Sequence, residues 1–257
     1  MTHPAIEIGI IGGSGIYALE ELRSVEEVRL ETPFGAPSDA CFTGTLAGRR
    51  VALLPRHGRG HRVTPSEVNY RANIFGFKEL GVSQLLAVTA VGSLREEIHP
   101  GEVVVPDQLI DRTRQRGSTF FGEGVVAHIP FADPFCTQLG QRLAVTARGL
   151  AGKVHRGGTL VCIEGPAFST RAEAHLYRQW GCDIVGMTTL QEAKLAREAE
   201  ICYAAMAMVT DYDCWHATAG EVTADAVAAT MAANIHVARR VLTGLIPELP
   251  AAPACPC

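Results

Sequence analysis

The sequence predicts an α/β fold: a single domain with a central mixed, mostly parallel β-sheet flanked by helices. Three observations carry that expectation. Seven short apolar runs, most rich in β-branched residues, each end at Gly, Pro or a polar residue; helix-like stretches lie between several of them; and the runs are near-continuously hydrophobic, as strands buried on both faces must be. The runs cover residues 6–11, 51–54, 85–88, 103–105, 159–163, 184–187 and 203–210. A helix is expected over 66–80, where Pro65-Ser66 supplies a start and Gly81 a stop. Residues 170–180, 189–199 and 223–245 read the same way, the last being long and rich in Ala and Val. The domain is placed at 4–246, and 247–257 is a Pro/Ala/Cys tail.

Composition narrows the function. The chain has 257 residues, 47% hydrophobic and 19% charged, with formal net charge −4. An acidic total argues against general nucleic-acid binding. No apolar run approaches the ~20 residues of a membrane span, and Met1 to Ile11 shows no secretory pattern, so a soluble cytoplasmic protein is expected. The eight Cys include no C-x-x-C pair, so no metal site is expected from spacing. Cys255-Pro256-Cys257 forms a C-x-C on a tail expected to be exposed, with a redox or structural disulfide as one reading.

In such sheets ligands collect at the carboxyl ends of the strands. After the first run, Gly12-Gly13-Ser14-Gly15 is either a tight turn or a loop offering backbone N–H groups and the Ser14 hydroxyl to a phosphate. After 51–54 comes Arg56-His57-Gly58-Arg59-Gly60-His61-Arg62, the densest positive cluster of the chain and the better anion site, since a guanidinium can hold phosphate with two parallel hydrogen bonds. Thr89-Ala90 and Met187-Thr188 follow two further runs. The last run ends at Asp211-Tyr212-Asp213; if the strand continues, period-two alternation puts both carboxylates on one face, where mutual repulsion lets one keep its proton near neutrality.

The ordered motifs IGIIGGSG (8–15), TPFGAPSD (32–39), LPRHGRGH (54–61), PSEVNYRANI (65–74), TAVGSLREEIHPG (89–101), HIPFADPFC (128–136), IEGPAFSTRAE (163–173), GMTT (186–189) and TDYDCW (210–215) resemble the trimeric purine nucleoside phosphorylase family, on its branch that cleaves 5'-methylthioadenosine. The resemblance implies that Ser14, Arg56, His57, Thr89, Ala90 and Thr188 hold phosphate. It implies that Met187 contacts the ribose, Phe168 lies near the nucleoside, and Asp211 and Asp213 face the purine edge beside Ser169, these three being the catalytic set. The 5' substituent would meet Val227, with Val222, Ala224 and Ala228, and the partner subunit's His128 in a homotrimer or a dimer of trimers. Inorganic phosphate is the co-substrate, and no cofactor is implied. The terminal C-x-C, Cys255 and Cys257, resembles tails of thermophilic archaeal members that form a disulfide there, and Cys136 and Cys202 fall where those members place a second bridge, although reduced relatives have Cys there too.

Relatives that cleave 6-oxopurines present Glu and Asn to the base, where this chain has Ser169 and Asp211. A carboxylate facing O6 sets acceptor against acceptor, whereas a 6-amino group can donate to it. Adenine nucleosides are therefore expected, with a broad-specificity enzyme acting on inosine and guanosine as the alternative. After GMTT the family usually continues with an apolar residue and Pro-Glu; this chain has Leu190-Gln191-Glu192.

Overall fold

The structure, a computed structural model, describes residues 6–13, 20–217, 222–255 and 257. All seven expected strands are present: β1 (Ile8–Gly12), β4 (Arg49–Pro55), β5 (Gln84–Ser93), β6 (Val103–Val105), β9 (Thr159–Ile163), β10 (Ile184–Gly186) and β11 (Cys202–Asp211). Four more, β2 (Arg23–Val28), β3 (Cys41–Leu46), β7 (Gln108–Arg112) and β8 (Val154–Arg156), lack an apolar run. β2 is exposed along most of its length and β8 has only three residues, so their sequences carry little hydrophobic signal.

β5 is the hub. It runs parallel to β1 on one side and to β11 on the other, and its last residues turn to pair antiparallel with β10. From β1 the sheet continues through β4, β3 and β2, and from β10 through β9 and β7. Period-two alternation sorts the central side chains between two cores. Leu86, Val88, Ala204, Met206 and Met208 face one side, and Leu85, Ala87, Tyr203 and Ala205 the other. The first side is covered by α2 (Thr137–Leu150) and α5 (Ala224–Leu245), the second by α1 (Tyr70–Glu79) and α4 (Thr189–Glu198), while α3 (Arg171–Gln179) packs near β9. Burial on both faces is why these strands read as continuous apolar runs.

Helix ends follow local chemistry. α3 is closed by a full capping box between Thr170 and Glu173, and the Thr223 hydroxyl accepts the Ala226 N–H at the start of α5. α1 starts later than the sequence suggests: Asn69, not Pro65-Ser66, accepts the first orphan N–H, from Ala72. Helix α2 was not expected, because Gly140 and Gly149 interrupt its pattern; Leu139, Leu143, Ala144 and Ala147 nonetheless form one buried stripe.

The tail, expected to be exposed, is only partly so: Ala251, Ala252 and Ala254 are exposed, whereas Cys255 and Cys257 are half-buried. After a 3-10 turn (Ile246–Glu248) it folds back over the amino ends of the central strands, where Gln84 donates to the Pro250 carbonyl at 2.8 Å and Arg49 to that of Leu249 at 2.7 Å. Cys255 and Cys257 pack against the core.

Candidate active site

The carboxyl ends of β4, β5, β9, β10 and β11 converge on a cavity of about 810 Å³, roofed by the first turns of α5. Arg56, His57, Thr89, Ala90, Phe168, Ser169, Met187, Thr188, Asp211, Asp213 and Val227 all line it. So do Ala224 and Ala228, whereas Val222 does not. Ser14 lies outside the described residues. His128 is exposed and does not line the cavity of its own chain.

The basic cluster after β4 divides. Arg56, His57 and His61 reach the cavity, but Arg59 turns away to Asp39 and Glu27 at the surface, and Arg62 stands 3.8 Å from Asp39. Arg56 itself is 2% exposed and is not the two-pronged phosphate clamp expected from sequence. Its Nε and Nη2 edge is occupied by Glu192, at 2.5 and 3.1 Å, and the Tyr203 hydroxyl donates to the same carboxylate at 2.8 Å. Nη1 donates to the Val88 carbonyl at 3.0 Å, leaving its second N–H for a ligand. Although desolvation opposes its charge, the Glu192 carboxylate raises the Arg56 pKa further.

His57 is neutral near pH 7. Burial, then the neighbouring Arg56 charge, push it down to about 4. Its Nδ1 is 2.9 Å from the Val63 carbonyl, which can only accept, so Nδ1 carries the proton and Nε2 is an acceptor. An anion that still holds a proton, such as monohydrogen phosphate, suits that nitrogen. Positive potential comes instead from the remaining Arg56 N–H and from the start of α4. Thr188 is its N-cap, yet the side chain caps nothing, so hydroxyl and helix N-terminus both face the cavity.

The other end of the cavity is acidic. β11 shifts register between Val209 and Asp211 and ends there; Asp213 lies in a turn with φ +51° rather than on a continued strand. The two carboxylates converge through a tight side-chain turn, not through alternation: Asp211 Oδ1 accepts the Asp213 N–H and Oδ2 the Thr210 hydroxyl, both at 2.7 Å. Desolvation raises the Asp211 pKa against those two bonds. Asp213 is pushed up to about 6, by desolvation first and with a contribution from the Asp211 charge. Its Oδ2, like Ser169 Oγ, is buried without a hydrogen-bond partner of normal length. The Ser169 side chain still interacts with Asp213, and buried polar atoms short of good partners beside a cavity are positioned for a ligand.

Two supporting features were missed from sequence. Glu192, fully buried in the first turn of α4, sets the orientation of Arg56; only its place in a helix-start motif was visible. Arg116, from the loop after β7, donates to Glu164, to the Met187 and Glu164 carbonyls and to Gln191, so it ties the loop after β9 to the start of α4. Against its own desolvation, bonds from Ser66, the Arg114 N–H and Arg116 hold Glu164 down to about 2. Gln191, where the resemblance leads one to expect Pro, uses its side chain, accepting from Arg116 and donating to Thr113.

Gly92 is the close-approach point behind the acidic pair. A Cβ there would lie 2.9 Å from Asp211 Oδ1 and 3.1 Å from Val185 Cγ1. Gly92→Ala is therefore expected to displace Asp211 and cut kcat by about 10- to 100-fold, because misplacement on the ångström scale costs that much. An unchanged kcat would show that the carboxylate has room to move.

Comparison with known proteins identifies the family. Residues 7–247 match the family model of the phosphorylase superfamily. S-methyl-5'-thioadenosine phosphorylase of Geobacter sulfurreducens is 55% identical over 97% of this chain and 88% of its own length. That of Hyperthermus butylicus is 53% identical over 96% and 90%. A crystal structure of a methylthioadenosine phosphorylase sourced from an antarctic soil metagenomic library superposes with TM-score 0.91 at 50% identity, covering 95% of this chain and 86% of that one. The Schistosoma mansoni methylthioadenosine phosphorylase in complex with adenine gives 0.89 at 39%, covering 95% and 91%. The chain belongs to the phosphorylase superfamily and, within it, to the S-methyl-5'-thioadenosine phosphorylases.

Proposed function

We infer that this chain splits 5'-methylthioadenosine with inorganic phosphate, giving adenine and 5-methylthioribose 1-phosphate, a purine and methionine salvage step. One observation carries the reading: Arg56 and Asp211 line the same cavity, so an anion-binding end and a proton-holding end can share one nucleoside. Had they opened into separate cavities, the assignment would fail whatever the family likeness.

The glycosidic bond resists cleavage because a purine leaves poorly as an anion and the ribosyl fragment becomes cationic. The Asp211–Asp213 pair addresses the first difficulty. It keeps a proton over part of the near-neutral range, resting on Asp213 in the free site, since the two bonds to Asp211 favour its anion. That proton, shared toward N7, stabilises the departing base, while the charged carboxylate accepts from the 6-amino group. Ser169, whose side chain interacts with Asp213, completes the base edge. Phosphate held by Arg56, His57, Thr89, Ala90 and Thr188, with Ser14 assigned by motif, lies beneath the sugar; it stabilises the oxocarbenium electrostatically and then captures it. Met187 packs on the ribose and Phe168, exposed at the rim, flanks the nucleoside. Phosphate is a substrate, and the reading requires no cofactor.

Along α5, Ala224, Val227, Ala228, Met231, Ala232 and Ile235 give the cavity an apolar wall, which suits a methylthio group better than a hydroxyl. We place the partner subunit's His128 at this end in a homotrimer; His128 is exposed and does not line its own chain's cavity, which leaves it available to a neighbour. A cytoplasmic location accompanies the reading; no described helix is long and apolar enough to cross a membrane.

The test is base release from methylthioadenosine, adenosine and inosine, with and without phosphate. Adenine should appear only with phosphate, fastest from methylthioadenosine, with inosine slower by orders of magnitude. Faster cleavage of inosine, or phosphate-independent release, would overturn the reading.

A further inference from the structure

Far from the cavity, four cysteines meet. Cys136 is the N-cap of α2, Cys202 is the first residue of β11, and Cys255 and Cys257 come from the folded-back tail. Their sulfurs all lie within 4.8 Å of one another, with Cys202–Cys255 at 2.8 Å, Cys255–Cys257 at 3.1 Å and Cys136–Cys255 at 3.6 Å. No pair is bonded, since a disulfide requires about 2.05 Å. β11 spans ten residues from Cys202 to Asp211, so the cluster sits roughly 30 Å from the acidic pair at about 3.3 Å per residue.

We propose that these four thiols form a structural zinc site that fastens the C-terminal tail to the core. A tetrahedral ion with Zn–S bonds of about 2.3 Å needs sulfurs about 3.8 Å apart, and sub-ångström to one-ångström shifts of four side chains supply that from the observed spacing. The donor set is all sulfur and closed, which selects a soft or borderline ion and leaves no position for water or substrate, the mark of a structural rather than a catalytic centre.

The scaffold holds the thiols together by bonds that do not involve sulfur pairs. The Cys136 N–H donates to the Tyr203 carbonyl at 2.8 Å, fixing the start of α2 beside the start of β11. Gln84 and Gln138 donate to the carbonyls of Pro250 and Ala254, fixing the tail. The Leu139 N–H points at Cys136 Sγ, 3.4 Å away, as amides that orient a ligating thiolate do. Expecting no metal from the absence of C-x-x-C considered only neighbours in sequence; here ligands 66 residues apart (136 to 202) and a C-x-C tail are joined by the fold.

Binding converts thiols to thiolates and releases their protons to solvent, with no change of oxidation state. The test uses the full chain, reduced and titrated anaerobically with Co²⁺. One equivalent should saturate, with the thiolate charge-transfer and visible bands of a tetrahedral sulfur site, and Zn²⁺ should displace it. The double variant Cys255→Ser/Cys257→Ser should lose more than about 100-fold in affinity, beyond what the loss of an outer-shell partner costs. It should keep phosphorolysis at ambient temperature, so failure here is distinct from failure of the proposed function. Zinc should raise the Tm of the parent chain and not of the variant. Uptake below one equivalent by the reduced chain, or equal affinity in the double variant, overturns the proposal.

Discussion

Asp213→Asn is expected to lower kcat by about 10²- to 10⁴-fold, the usual worth of a positioned acid, while leaving the KM for phosphate nearly unchanged. Asparagine keeps the shape and removes the proton. The pH profile isolates the cause. With Asp213 near 6, kcat/KM of the parent enzyme should fall as pH rises through that value, and this limb should vanish in the variant. Stability gives a second, opposite readout. The folded pKa lies above the unfolded value of 3.8, so between about 4 and 6 the native state binds more protons, stability declines as pH rises, and the deficit persists at neutrality. Removing the charge should therefore stabilise the protein at pH 7, by roughly 1–2 kcal/mol after allowing for an unpaired amide. A slower and more stable enzyme marks a group held for chemistry at a cost to the fold. A variant with unchanged pH profile, or one less stable at pH 7, would remove Asp213 from the proton path.

Glu192→Gln is expected to have the largest structural effect. The Arg56–Glu192 pair is closed to solvent, at 2% and 0% side-chain exposure, and Tyr203 donates to it as well. Leaving one member of a buried pair uncompensated costs about 3–5 kcal/mol, and a drop in Tm read by thermal unfolding checks this. The functional part is separable. Without the bidentate partner the Arg56 fork is no longer held with one N–H toward the cavity, so the KM for phosphate should rise by about tenfold or more, the worth of a charge-assisted hydrogen bond. Glu192→Asp, which restores the charge on a shorter arm, should recover stability before it recovers phosphate binding. Full phosphate affinity in Glu192→Gln would show that Arg56 needs no orienting partner.

The four helices and seven strands visible in the sequence were those with a period or a continuous apolar run to read. Elements without one, such as charged β2 and Gly-interrupted α2, take their conformation from pairing and packing. The site was legible because ligand-binding side chains follow strand ends, and strand ends are where apolar runs stop. That logic found Arg56, Thr89, Thr188 and Asp211, and the resemblance supplied Ser169, Phe168 and Val227.

By itself, then, the sequence determined which residues stand at the sheet's carboxyl edge, because the hydrophobic effect buries the runs and leaves the polar residues after them at the rim. Tertiary structure decided what those residues are. It neutralised His57, spent the bidentate edge of Arg56 on a glutamate 136 positions away, and joined the two aspartates through a turn rather than an extended strand. It also gathered four scattered thiols into one cluster. Each outcome depends on burial and on partners distant in the chain, and desolvation and Coulomb interaction act through space, which local spacing does not encode.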